Sequence, residues 1–283
     1  MFCTSNELTI ALLRMKSALD TVFYYFGYGS NMSLASIRAK GVEPLSSCKA
    51  SLPGWRLAFN VRHFFRHEGG VANVLPGTGA NDSVWGLVHH CEDSALEKLD
   101  AAEAYGYGYD RVEMPVITAD GPVAATIYTG MAAFLDDDCL PSQRYLNILC
   151  RGAEQAGIGA TYVERLRTHP VHQKQPYPPF VAPATPTDHY DAEALAKSPH
   201  LTALANAVFD MRAARPQHEY LKKFFGGRDM TLFHLKRMDS SDGSESAADL
   251  REDRLSPAQR QYLNEYLHEY AAEYVFAGHF DRP

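Results

Sequence analysis

The apolar positions of this chain fall in short runs separated by glycine, proline or charged breaks. The first clear run starts at Val22 and ends in Tyr25-Phe26-Gly27-Tyr28-Gly29-Ser30-Asn31-Met32. It predicts a strand that breaks into a glycine turn and opens a helix, with Ser33 as N-cap of residues 34–40 and Gly41 at the end. Further strands are predicted over residues 55–61, 70–75, 83–89, 111–117 and 123–131, and helices over 94–102 and 141–157. Strands dominate and do not alternate with helices as in a doubly wound sheet. The pattern predicts an α+β domain built on a curled, partly closed sheet. An amphipathic helix is also expected within residues 5–20, ahead of this domain.

The texture changes after Thr168. Residues 169–186 hold six of the chain's 16 prolines, which fix φ and remove backbone donors, so an extended linker is expected there. Beyond it, Ser256-Pro257 reads as a helix start, and Leu263, Tyr266, Leu267 and Tyr270 recur on one helix face. A closing strand is expected over 274–280, and the Ser/Asp/Gly-rich stretch 238–246 reads as a polar loop. The predicted organisation is an extension (1–21), a first domain (22–168), the linker (169–186) and a second domain (187–283).

Composition narrows the function classes. With 46% hydrophobic and 22% charged residues the chain is globular, and a net charge of −7 gives no general affinity for nucleic acid. No segment has the length and apolarity of a membrane span or a secretory signal. The five cysteines are scattered without a Cys-x-x-Cys pair, which argues against a disulfide framework and a structural zinc site. A cytoplasmic protein with reduced thiols is expected.

Two features carry candidate chemistry. A strand, a glycine turn and a helix start place several backbone N–H groups around one concave spot, suited to a carboxylate, a phosphate or an oxyanion. Glu103 follows an amphipathic helical stretch and precedes Ala104-Tyr105-Gly106-Tyr107-Gly108-Tyr109. A carboxylate at a helix end among aromatic residues is a candidate general base, through partial desolvation.

Several segments, in order, resemble the γ-glutamylcyclotransferase family. Residues 25–32 resemble its substrate loop, followed by an arginine in the helix, here Arg38; Leu52-Pro53-Gly54-Trp55-Arg56-Leu57-Ala58-Phe59 resembles its second strand. Gly69-Gly70-Val71-Ala72-Asn73-Val74 and Val84-Trp85-Gly86-Leu87-Val88 resemble the next two segments. Leu99-Asp100-Ala101-Ala102-Glu103 places Glu103 where the family carries its catalytic glutamate. Tyr109 and Arg111 resemble the Tyr/Arg pair that follows it, and Pro141-Ser142-Gln143-Arg144-Tyr145 resembles a helix bearing a substrate-contacting tyrosine. The resemblance implies a curled mixed β-barrel with flanking helices and a small γ-glutamyl amino acid or peptide as substrate. It implies closure of the γ-glutamyl group to 5-oxoproline, with Glu103 as acid/base and no cofactor. Tyr25, Phe26, Gly27, Tyr28, Gly29, Ser30, Asn31, Tyr109, Tyr128 and Tyr145 would bind substrate. Ala104 departs from the glycine that many members carry after the glutamate, and residues 27–32 match neither the glutathione-specific branch nor the γ-glutamylamine branch. The alternative is a ligand- or haem-binding sensor that keeps the shape without the chemistry.

Residues 187–283 resemble, less closely, cytochrome b5-like domains of the membrane-associated progesterone receptor branch. The likeness rests on Phe225-Gly226-Gly227-Arg228-Asp229-Met230-Thr231, on the helix starting at Ser256-Pro257 and on Gly278. The His-Pro-Gly-Gly haem motif is absent. Tyr220 lies near the place of that branch's ligand but with changed spacing to Asp229, and His218 and His234 are the other candidates. The main expectation here is a ligand-free interaction module, with haem secondary.

Overall fold

A computed structural model describes residues 22–282, so the helix expected within 5–20 lies outside the described residues. By compactness the chain forms two units interleaved in sequence, whereas the proline run had suggested a linear division. The first takes the chain up to Leu57, Asn73–Gly130 and Gly152–Val163; the second takes Ala58–Ala72, Met131–Arg151 and Glu164 onward. Strands β3 (Trp55–Arg62) and β4 (Gly70–Pro76) pair as a ribbon along which the chain passes from the first unit to the second and back.

The first unit is built on a closed barrel. β1 (Val22–Gly27), β2 (Ser46–Pro53), β5 (Ser83–Glu92), β6 (Tyr109–Thr118) and β7 (Gly121–Gly130) lie in the order β1-β5-β2-β6-β7. Four pairings are antiparallel, and the closing one, β7 on β1 through Thr126 and Tyr25, is parallel. The sheet is therefore mixed, as expected, and closes fully. β5 runs with few breaks in burial because both its edges are paired. Its Gly86 lets β1 come close: a Cβ there would stand 2.5 Å from the Gly27 carbonyl and 2.9 Å from the Phe26 ring.

Helices Leu34–Ala39 and Leu96–Ala102 share one apolar cluster against the barrel, made of Tyr25, Ile37, Val42, Cys91, Ala95, Leu99 and Tyr128. Ser33 caps the first as expected, its hydroxyl accepting from Ser36 N–H, and Gly41 takes φ +77° just beyond its end. Leu99, fully buried, anchors the second helix, whose C-terminal cap is Glu103.

The second unit contains a five-stranded sheet in the order β11 (Arg228–Asp229), β9 (Leu201–Leu204), β10 (Ala207–Asp210), β12 (Val275–Phe280) and β8 (His189–Tyr190). Helix Pro257–Glu273 starts with the capping box of Ser256 and Gln259 and buries Leu263, Tyr266 and Tyr270 on the face read from the sequence. Residues 169–186 carry no helix or strand, yet they are docked, not free-standing. Lys174 pairs with Glu265 at 2.6 Å, Tyr177 donates to Glu269 at 2.7 Å, and the Phe180 N–H donates to Asn264 at 2.7 Å. Among the described residues no helix is long and apolar enough to cross a membrane.

One pH dependence follows from this docking. Burial pushes the Glu269 carboxyl up, but its contacts with His67 and Tyr177 outweigh burial and hold it at about 2, below the ordinary 4.5. A depressed carboxyl stabilises the fold above its unfolded value, and that contribution is lost as pH falls from 4.5 towards about 2. Melting temperature followed across that window should fall more steeply for the wild type than for Glu269→Gln; parallel profiles would contradict the assignment.

Candidate active site

The turn after β1 brings its polar side chains onto the end of helix 96–102. Asn31, 2% exposed, lies in the short 3-10 turn Ser30–Met32. Its amide donates to the Tyr25 hydroxyl at 2.6 Å and to Glu103 Oε1 at 2.9 Å. Its side-chain oxygen accepts from Lys40 Nζ at 2.7 Å, and Lys40 also pairs with Glu103 Oε1 at 2.9 Å. Two side chains, from positions 72 and 63 residues earlier, thus meet at one carboxylate, whose side chain is 17% exposed. Glu103 Oε1 is held twice, while Oε2 accepts no hydrogen bond among the described residues.

Beneath this network, His89 fixes the turn from the barrel side. Its Nε2 donates to the Asn31 carbonyl at 2.9 Å, and its Nδ1 accepts from the Ser47 hydroxyl at 2.7 Å. Burial pushes the His89 imidazole below its ordinary range, against the Asn31 carbonyl that favours the charged form, so the neutral ring carries this bridge. Tyr25 stacks on His89, and burial with the nearby Glu103 charge drives its phenol well above the usual value. Tyr25 is therefore a neutral, fixed hydrogen-bonding group.

The other expected site residues take distinct places. Tyr28 donates to the Tyr128 carbonyl at 2.5 Å, which ties the turn to β7. Phe26 is fully buried in the barrel beside Gly86 and Tyr28. Gly29 and Ser30 supply carbonyls for the turn's internal bonds from Met32 and Ser33, in which the N–H groups of Gly29, Ser30 and Asn31 take no part. The glycine demanded by close approach is Gly27, where a Cβ would stand 3.0 Å from the Asn31 carbonyl; Gly29 has an ordinary negative φ of −106°. Tyr128 donates its hydroxyl to Asp100 at 2.6 Å, and Arg111 holds the other Asp100 oxygen at 2.7 Å, so Tyr128 and Arg111 both brace the helix that ends at Glu103. Tyr109, half-buried, packs on the same cluster. Arg38 faces solvent and pairs with Glu43. Tyr145 belongs to the second unit, where its hydroxyl accepts from the Ala72 N–H at 3.1 Å and its ring meets Phe59 edge-on.

Tyr105 is 41% exposed and stacks under Arg111, and the carboxylate is held by Lys40 and Asn31. Lys40 and His89 escaped the sequence reading. Lys40 has the composition of an ordinary cationic helix end, and only the fold shows that its ammonium turns back to residue 103.

The chain after Glu103 turns through Ala104 at φ +51°, a left-handed conformation that costs an L-residue about 1 kcal/mol or more. The Ala104 carbonyl collects the N–H groups of Tyr107 and Gly108 at 3.0 and 2.8 Å, so the turn is fixed. Ala104→Gly should relieve that conformation and raise the melting temperature by about 2–4 °C. An unchanged or lower value in a thermal melt would refute it.

The three residues considered for haem lie in the second unit, each packed against neighbours there. His218 Nε2 donates to the Phe64 carbonyl at 2.7 Å, and its Nδ1 accepts from the Tyr274 hydroxyl at 2.9 Å. His234 Nε2 meets the Tyr270 hydroxyl at 2.9 Å, and Tyr220 stacks on Phe64. The Phe65 ring packs against both histidines, its centroid 5.3 Å from that of His218 and 6.1 Å from that of His234. Among the described residues no group of three or more His, Cys, Asp or Glu side chains is placed to hold a metal ion.

Comparison with known proteins identifies the family. Residues 83–166, which include Glu103, match the AIG2-like family. The γ-glutamylcyclotransferases of Mus musculus and Homo sapiens are each 30% identical to this chain over 149 residues, spanning 51% of it and 77% of each relative. A solved γ-glutamyl cyclotransferase structure is 26% identical, covering 56% of this chain and 93% of that one, with a TM-score of 0.48. The chain belongs to the γ-glutamylcyclotransferase family and is an enzyme of that type.

Proposed function

We propose that the chain converts a γ-glutamyl amino acid or peptide to 5-oxoproline and a free amino compound, with Glu103 carrying the proton. The observation that bears this reading is the asymmetry of the carboxylate: Oε1 is pinned by Asn31 and Lys40, and Oε2 accepts no hydrogen bond among the described residues. A pinned carboxylate with one open oxygen is pre-oriented to accept a proton from a substrate ammonium. The freed α-amine attacks the γ-carbonyl of the same molecule and forms the C–N bond of a five-membered lactam. The bond to the leaving nitrogen then breaks as Glu103 returns the proton to it, and the attacking nitrogen gives up its second proton, which leaves with the free amine as an ammonium. No other reactant is needed, and the attack is intramolecular, so the site's task is to fold the substrate and to manage charge.

The N–H groups of Gly29, Ser30 and Asn31 suit the developing oxyanion or the substrate α-carboxylate. Tyr25 supports the network from below as a neutral phenol. Substrate contacts by Tyr109 and Tyr128 are part of the proposal, as is a cytoplasmic setting. A cytochrome b5-like descent of residues 187–283 also stands as a proposal, supported by the motifs quoted above.

The leaving group is tested by 5-oxoproline release from γ-glutamyl-alanine, γ-glutamyl-cysteine, glutathione and ε-(γ-glutamyl)-lysine. Turnover of the simple dipeptides above glutathione and the lysine compound supports a general γ-glutamyl amino acid substrate. A preference for either of the last two would contradict that assignment.

A further inference from the structure

We propose that residues 215–274 form a receptor for the chain's own loop Phe64–Glu68, and that this loop stands where the cytochrome b5 resemblance would put haem. Every residue of the loop is held. The Phe64 carbonyl accepts from Arg215 Nη2 and His218 Nε2, each at 2.7 Å. The Phe65 ring, 2% exposed, lies nearly parallel to Tyr270 and Phe225, with centroids 5.2 and 6.2 Å away, and meets Tyr266 and His218 edge-on at 5.3 Å. The Arg66 N–H donates to Glu269 at 2.9 Å. The His67 imidazole, 6% exposed, lies between Glu68 and Glu269 and meets the Tyr266 ring edge-on. Glu68 accepts from the Tyr266 hydroxyl at 2.8 Å.

A haem needs a flat slot with an axial nitrogen or phenolate facing it. Here the side chains that would serve (His218, His234, Tyr220) have their bonds or their faces on the loop or on Tyr270 and Tyr274, and one aromatic ring already packs against both histidines. The interior is closed by a partner within the same chain, and its chemistry is that of an aromatic plug with an acidic tip. This also accounts for the compact unit that joins Ala58–Ala72 to the C-terminal residues.

The test uses the full-length chain. Hydrogen exchange compared between the wild type and Phe65→Leu, which keeps a bulky apolar side chain, should show faster exchange in residues 218–235 and 257–274 with the barrel strands unchanged. Phe65→Ala should lower the melting temperature by about 10 °C. Haemin added to the wild type should give only the broad absorbance of free haemin. Unchanged exchange in Phe65→Leu together with a wild-type melt for Phe65→Ala would overturn the plug. So would a sharp stoichiometric Soret band in the wild type that is lost in Tyr220→Phe, His218→Ala or His234→Ala.

Discussion

Glu103→Gln is expected to lower kcat by about 10³-fold or more while leaving the fold and substrate affinity nearly intact. The carboxamide keeps an oxygen for Asn31 and Lys40, so the Oε1 anchor survives in shape. What it loses is the capacity of the open oxygen to take a proton from the substrate ammonium and to hand it to the leaving nitrogen. Both half-steps depend on the same group, so the loss falls on kcat and not on KM. Circular dichroism and a thermal melt alongside the kinetics separate chemistry from folding. A variant that retains more than about one tenth of wild-type kcat would remove Glu103 from the proposed mechanism.

Arg144→Met is expected to be the most damaging single change to stability outside the apolar core. Glu68 is 2% exposed, and its Oε2 accepts from Arg144 at 2.7 and 3.0 Å and from the Ser142 hydroxyl at 3.1 Å. Burial pushes the Glu68 carboxyl up, but Arg144 overrides it and holds the group well below the usual carboxylate range. Removing the guanidinium leaves a buried anion with hydroxyl partners and the His67 ring at 3.8 Å, which costs about 3–5 kcal/mol, a fall of about 10 °C or more in melting temperature. The double variant Glu68→Leu/Arg144→Met should recover most of that loss, because two apolar side chains of similar size need no charge partner. A melt in which Arg144→Met alone matches the wild type would show that the pair contributes nothing net.

Much of the barrel was legible because its strands carry apolar runs bounded by glycine and proline. β2 was the exception. Ser46-Ser47-Cys48-Lys49 at its start is exposed and polar, so no apolar alternation marks it, although the strand pairs with β5 along its whole length. Glu103 was legible through its surrounding motif, and the turn through its glycines. Lys40, His89 and Asp100 were not, because each acts across the sheet or back along a helix, and no local spacing encodes such contacts.

The second unit shows the same limit. Arg66-His67-Glu68 has the composition of a solvated loop, yet its glutamate is buried, because its partners Arg144 and Tyr266 come from residues 76 and 198 positions away. The proline run carries no helix or strand. Its docking depends on Glu265, Glu269 and Asn264, which look like the polar side of an ordinary surface helix.

The account rests most directly on the identity of the product. Wild-type protein incubated with γ-glutamyl-alanine and analysed by mass spectrometry should yield 5-oxoproline and alanine in equal amounts, with no glutamate. Glutamate as the product would mean that water, and not the substrate's own amine, attacks the γ-carbonyl; no product at all from folded protein, on this substrate or the other γ-glutamyl compounds, would contradict the cyclotransferase reading outright.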